Sequence, residues 1–227
     1  MCGVRNHGCV KVDFQRPFSA PDGAQEILLV RHGACDAPGP GGLIGGRSDP
    51  PLNASGRVQA AAVAKRLARE RVSAIFVTPL QRTSETARFM LGDHDVEPVV
   101  LPSLGEIFLG DWEGHGIHQR GSSGDPEFVE MMRAESWELI PGAESAAAFA
   151  ERTREGTETV ADAAGPSGVA VAFTHAAVIA EICRQVTGSR PFAFLTNANG
   201  SVTRLVRMPD RRWLLLSFNE TEHLPRE

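Results

Sequence analysis

Glu26-Ile27-Leu28-Leu29-Val30, running straight into Arg31-His32-Gly33, is the stretch that decides the fold. A short, almost continuous apolar run of this kind reads as a strand buried on both faces. It breaks off into a guanidinium and an imidazole, so polar chemistry stands at the strand's carboxyl end. The pattern recurs twice. Residues 73–77 read as a second buried strand and lead into Thr78-Pro79-Leu80-Gln81-Arg82. Residues 169–174 read as a third and lead into His175.

Working outward, a loop rich in Gly and Pro follows Gly33. A helix is expected over 53–71, where Ala60, Val63, Ala64, Leu67 and Ala68 recur at helical spacing. Thr78, Pro79 and Gln81 have the composition of a capping box, with Thr78 as the cap. Residues 99–101 are a further strand candidate, leading to Leu104-Gly105-Glu106. Residues 107–143 show no clean strand and one helix near 127–135. They read as an insertion, a lid over a site. A helix spans about 144–164, His175 opens another to about 186, and 201–207 with 212–218 form a closing hairpin. Residues 1–24 read as a tail, leaving one domain over 25–227. Strand and helix in alternation imply an α/β layered domain, a mostly parallel mixed sheet flanked by helices.

The chain has 227 residues, 42% hydrophobic and 22% charged, which excludes wholesale disorder. A formal net charge of -5 makes a general nucleic-acid binder a poor fit. The absence of Tyr removes any tyrosine nucleophile. No apolar run suggests a membrane span, and the N-terminus lacks the apolar centre of a secretory signal. A cytoplasmic protein with free thiols at Cys2, Cys9, Cys35 and Cys183 is therefore expected. Cys2, His7 and Cys9 lack a fourth ligand, and nothing completes a set around His115 and His118, so no metal is expected.

In α/β sheets ligands bind beyond the carboxyl ends of the strands, beside helix N-termini. Arg31, His32, Arg82 and His175 are thus expected to converge, joined by Glu106. Such a cationic cluster repels itself in a dry pocket unless a multiply charged anion lies within it, and phosphate fits forked arginine donors. His32, with its pKa lowered by the arginines, suits a nucleophile that attacks phosphorus. Arg31, Arg82 and His175 then hold the transferring group, and Glu106 protonates the leaving oxygen. Asp111 and Glu113 lie close by as competing acids. Arg47, in the Gly-rich loop, can reach a substrate's second acidic group or simply be solvated. Cys35 and Trp112 read as a bystander and as packing. No cofactor is called for, because side chains supply the positive charge.

LLVRHG (28–33), GRSDPPLNASGRVQA (46–60), TPLQRTSETA (78–87), LGEIFLGDWEG (104–114), PGAES (141–145) and VAFTHAAVIAEI (171–182) together resemble the histidine phosphatase superfamily, also called phosphoglycerate-mutase-like. The resemblance implies that His32 is phosphorylated, that Arg31, Arg82 and His175 complete the phosphate pocket, and that Glu106 donates the proton. Ala176 stands where the acid phosphatase branch has Asp, and residues 106–114 resemble the broad-specificity phosphatase branch. Ala34-Cys35, Pro38 and Ala176 depart from the family pattern and bear on substrate choice.

The expectation is a metal-independent phosphomonoester hydrolase acting on a small phosphate ester. A mutase-like phosphotransferase and a non-catalytic phospho-ligand module are the alternatives. Intact Arg31, His32, Arg82, Glu106 and His175 weigh against the last. Substrate identity and oligomeric state stay open, although the terminal hairpin offers an edge for pairing.

Overall fold

Ile27 and Leu29 point to one side of the first strand, Leu28 and Val30 to the other, and all four are fully buried. Each face of the strand meets its own apolar cluster. That is why the run is continuous rather than alternating. At roughly 2 kcal/mol for each fully buried aliphatic side chain, this strand is a major contributor to the core.

The computed structural model describes residues 18–36, 45–92, 96–114 and 117–225. The expectations for Cys2, His7, Cys9, Pro38 and His115 lie outside these, as does the side chain of His118. In chain order the strands are β1 (Gln25–Arg31), β2 (Val72–Val77), β3 (Val99–Val100), β4 (Val169–Thr174), β5 (Val202–Arg207) and β6 (Trp213–Glu220). Among the described residues they form one six-stranded sheet in the order β3-β2-β4-β1-β5-β6. β1, β2, β3 and β4 run parallel, while β5 and β6 run antiparallel to their neighbours. The helices are α1 (Ala54–Leu67), α2 (Gln81–Leu91), α3 (Ile117–Ser123), α4 (Pro126–Ala134), α5 (Ala146–Ala164) and α6 (Ala176–Thr187). Leu28, Val30, Ile75 and Phe173 pack with α1 and α2 on one face; Ile27, Leu29 and Ala172 pack with α5 and α6 on the other.

Parallel pairing puts the ends of β1, β2 and β4 at one edge of the sheet. Arg31 is in register with Thr174, so His32 and His175 emerge side by side. β5 begins at that same edge, because Val30 pairs with Val202. The loop before β5 therefore lies next to the end of β1.

The helix starts show how local chemistry gives way to tertiary contacts. Asn53 caps α1, its side chain accepting from the Gly56 N–H at 2.8 Å. The capping box expected at Thr78 does not form. α2 begins at Gln81 after an uncapped Leu80, and the Gln81 N–H is satisfied from outside by Asp49 Oδ1 at 2.7 Å. Thr78 is committed elsewhere, as described below.

Residues 107–143 hold short 3₁₀ turns at Gly110–Trp112 and Trp137–Leu139 besides α3 and α4. The helix expected near 127–135 is α4; α3 is an addition. Leu109, Trp112, Met131 and Ile140 are buried in the cluster shared with α5 and α6, so this segment is packed onto the core. No helix among the described residues is long and apolar enough to cross a membrane.

α1 approaches the loop after β1 so closely that two glycines face one another. A Cβ on Gly56 would lie 2.0 Å from the Ala34 carbonyl oxygen, and one on Gly33 2.4 Å from that of Gly56. Gly56→Ala should lower the unfolding free energy by about 1–3 kcal/mol, read from urea denaturation, because backbone rather than a flexible side chain must yield. The same displacement acts on the loop that carries His32, so turnover by the folded fraction should fall as well.

Candidate active site

His32 is the centre of the site and is nearly fully buried. Its Nδ1 lies 2.7 Å from the Gly33 carbonyl oxygen, which can only accept, so Nδ1 carries the proton. Arg82 Nε, which can only donate, points at Nε2 from 3.2 Å. Two independent contacts thus fix the same tautomer, with Nε2 unprotonated and its lone pair accepting from Arg82. Burial, then Arg82, then Arg31 hold the imidazole well below the ordinary histidine range.

Arg82 is completely buried. Nη1 donates to the Ser48 carbonyl oxygen at 2.7 Å and Nη2 to that of Gly45 at 3.0 Å, and the Asp49 carboxylate reaches only to 4.0 Å. Arg31 donates through Nη1 to the Asn197 carbonyl oxygen, while its buried Nε has no partner among the described residues. Burial pushes both guanidinium groups down from the ordinary arginine value, and Glu106 opposes it. Neither arginine has a carboxylate in direct hydrogen-bond contact among the described residues. Burying charge without a matched counter-ion is costly, and a bound anion removes the cost.

His175 stands at the N-cap of α6 with its ring centroid 5.2 Å from that of His32. Thr78 Oγ1 holds its Nε2 at 2.9 Å, and its buried Nδ1 has no partner among the described residues. Burial and then Arg82, His32 and Arg31 keep this ring, too, well below the usual range. Glu106 follows the short turn Pro102–Leu104. Its Oε1 accepts from the Ile107 N–H at 3.0 Å and its Oε2 from the Ala177 N–H at 3.4 Å. Burial raises its pKa, against the pull of those N–H groups and of Arg82 and Arg31.

The five expected residues therefore share one edge of the sheet and one electrostatic environment. The competing acids fall elsewhere. Asp111 is exposed. Glu113 accepts at Oε1 from the backbone N–H groups of Arg47 and Ser48, at 2.7 and 2.8 Å, and at Oε2 from that of Leu109 at 3.1 Å. A Cβ on Gly45 would collide with this carboxylate at 2.2 Å. Glu113 thereby pins the loop whose carbonyls cage Arg82. Cys35 is half-buried, with its thiol pushed up to about 11, chiefly by burial, which suits a bystander. Trp112 is buried packing, with the Arg120 guanidinium 4.6 Å from its ring centroid. Arg47 is exposed, its guanidinium 3.8 Å above the Phe108 ring and without an ion pair among the described residues. It lines a cavity of about 470 Å³ whose wall includes Glu106.

Several supporting residues escaped sequence reasoning. Thr78 reads as a helix cap but orients His175. Asn199 donates to the His32 carbonyl oxygen at 3.0 Å, and Asn197 donates from Nδ2 to the Ala176 carbonyl oxygen at 3.2 Å. Both stand in a loop that looks like ordinary turn sequence, so no local signal marks them. Among the described residues no cluster of His, Cys, Asp and Glu is arranged to hold a metal ion.

Comparison with known proteins gives a consistent result. The family model of the histidine phosphatase superfamily (branch 1) matches residues 27–221. A metal-independent phosphoserine phosphatase of Arabidopsis thaliana is 31% identical over 204 residues, covering 88% of this chain and 83% of that protein. Phosphoserine phosphatase 1 of Hydrogenobacter thermophilus is 28% identical over 202 residues, covering 88% and 94%. The native structure of a mycobacterial glucosyl-3-phosphoglycerate phosphatase superposes with a TM-score of 0.72 at 25% identity, covering 86% of this chain and 99% of that one. The family match extends from β1 through β6, across every element that frames the site, and the chain belongs to the histidine phosphatase superfamily, branch 1.

Proposed function

We propose that this chain is a phosphomonoester hydrolase in which His32 is the nucleophile, Glu106 the general acid, and Arg31, Arg82 and His175 the phosphate pocket. The observation that carries the reading is the unprotonated Nε2 of His32, held beside a fully buried Arg82 that has no carboxylate within hydrogen-bond distance among the described residues. The family membership and the phosphatase relatives support the activity class.

In the first step the Arg82 Nε–H turns from His32 Nε2 to a non-bridging oxygen of the bound ester, the freed lone pair attacks phosphorus, and the P–O bond to the leaving group breaks. The leaving oxygen takes the proton of Glu106, whose raised pKa keeps it available. Arg31 Nε and His175 Nδ1, which have no partner among the described residues, donate to non-bridging oxygens. In the second step water attacks the phosphohistidine, the N–P bond breaks, and Glu106 takes the water's proton. Inorganic phosphate leaves and His32 returns to its starting state. The arginines supply the positive charge that a metal ion gives other phosphatases. Residues 107–143 act as the cover that sets which acceptor reaches the phosphohistidine. A reducing cytoplasm suits the free thiols of Cys35 and Cys183.

The substrate is a small phosphate ester carrying a second acidic group, read by Arg47. Its guanidinium is braced on Phe108 and has no ion pair of its own among the described residues.

His32→Ala should abolish phosphate release, by roughly 10⁴-fold or more, without unfolding the protein. Rapid quench and mass spectrometry should trap a phosphoenzyme in the wild type alone, and survival of activity in the variant would overturn the nucleophile. The plot of kcat/KM against pH should be bell-shaped. The rate falls at low pH as His32 gains a proton, below the ordinary imidazole range because its pKa is lowered. It falls at high pH as Glu106 loses its proton, above the ordinary carboxyl range because its pKa is raised. Glu106→Gln should remove the high-pH limb. Arg47→Ala should raise KM about tenfold for a phosphate ester bearing a carboxylate and leave KM for a neutral ester unchanged; equal effects on both would reject Arg47 as a reader.

A further inference from the structure

Arg152 lies in the middle of α5, between Glu151 and Arg154, which pair with each other in solvent. Its own side chain turns the other way. Nε and Nη2 grip the two carboxylate oxygens of Glu144, at 2.6 and 2.8 Å. Nη1 donates to the carbonyl oxygens of Ser103 at 2.9 Å and Gly105 at 2.6 Å, and Nη2 donates to that of Glu106 at 3.2 Å. The guanidinium also sits 4.8 Å from the Phe149 ring centroid.

Glu144 closes the circuit. Its backbone N–H donates to the Phe108 carbonyl oxygen at 2.9 Å while its carboxylate holds Arg152. The segment carrying Glu106 is thus fastened on both sides of the acid. From the opposite side Gly46 presses on it so closely that a Cβ there would lie 2.6 Å from the Glu106 carbonyl oxygen. Among the described residues the carboxyl group itself is held only by the N–H groups of Ile107 and Ala177. Its aim is inherited from the backbone beneath it.

We propose that Arg152, braced by Glu144, is the positioning residue of the catalytic acid: it fixes the backbone at 103–106 so that the Glu106 carboxyl meets the leaving oxygen of the substrate. The inference rests on the proposed role of Glu106. Arg152 and Glu144 line the same cavity as Arg47 and Glu106, but the donors of Arg152 go to Glu144 and to backbone carbonyl oxygens, so it acts on the acid through the backbone. When the P–O bond breaks, the proton still moves from Glu106 to the leaving oxygen, and Arg152 determines only how well the two are aligned. A planar fork with donors in fixed directions serves several carbonyls and a carboxylate at once, which a lysine ammonium cannot.

A misaimed acid has a chemical signature that simple loosening of the fold lacks. A nitrophenolate departs readily without a proton, whereas an alkoxide does not. Arg152→Met, Arg152→Lys and Glu144→Gln should be assayed on p-nitrophenyl phosphate and on glycerol 2-phosphate, with thermal unfolding followed in parallel. With Arg152→Met, kcat for the alkyl ester should fall about 10- to 100-fold, and for the aryl ester less than about threefold, with KM little changed. Arg152→Lys should recover part of the loss. Added to Glu106→Gln, Arg152→Met should cause almost no further loss, as expected of two groups acting through one step. Equal losses on the two esters, or full additivity with Glu106→Gln, would overturn the proposal. If Arg152→Met does not fold, Glu144→Gln decides by the same bias between esters. If Glu106→Gln alone shows no bias, the acid assignment fails and this inference falls with it; if Glu106→Gln shows the bias and the Arg152 and Glu144 variants do not, only the inference fails.

Discussion

A single N–H···N hydrogen bond, from Arg82 to His32, organises this molecule's chemistry. An arginine has no lone pair to offer, so the imidazole nitrogen it faces must be bare. The contact fixes the tautomer, directs the lone pair and lowers the imidazole's affinity for a proton. It also brings a guanidinium into a site that water scarcely reaches, a cost met by the carbonyl oxygens of Gly45 and Ser48. Those carbonyls stay in place because Glu113 pins the loop between them. The pocket keeps an excess of positive charge that its own carboxylates do not neutralise, which is the condition for holding a phosphoryl group.

Parallel pairing is what collects the parts. Arg31 and His32, Arg82, Glu106 and His175 come from separate strand ends and helix starts, and parallel strands deliver those ends to one edge. The convergence requires tight backbone approaches. Gly33 against Gly56, Gly45 against Glu113 and Gly46 against Glu106 are places where a methyl group has no room. The Gly content of the loops around the site is therefore a packing requirement at these positions.

Around the reacting groups lies a layer of polar residues that grip mainly backbone. Asn199 holds the His32 carbonyl, Asn197 the Ala176 carbonyl, and Arg152 the carbonyls beneath Glu106. Thr78 is the exception, holding the His175 ring itself. Such contacts fix the angles and distances of the backbone and side chains they hold.

Local physics wrote much of this into the chain. The doubly buried strands, the helical spacing of Ala60, Val63, Ala64 and Leu67, and the placing of Arg31-His32, Arg82 and His175 just after strands depend only on neighbours along the sequence and on hydrophobic period. Six motifs in order resemble one family, and that resemblance implies the same role for Glu106 as its place after a strand candidate does. What the chain could not display was which of several equivalent donors would be used. Thr78 carries a capping pattern, yet its hydroxyl serves a histidine 97 residues away. Arg152 stands in a run of charges that looks like a solvated helix face, yet its fork reaches carbonyls 46 to 49 residues earlier. Glu113 resembles a second acid until its oxygens are found filled by backbone N–H groups. The sequence by itself determined the main strands and helices and the candidate site residues, because burial and period act locally. Only the tertiary structure decided the tautomer of His32, the carbonyl cage of Arg82 and the support of Glu106, because a hydrogen bond depends on direction and distance between groups that the chain leaves far apart.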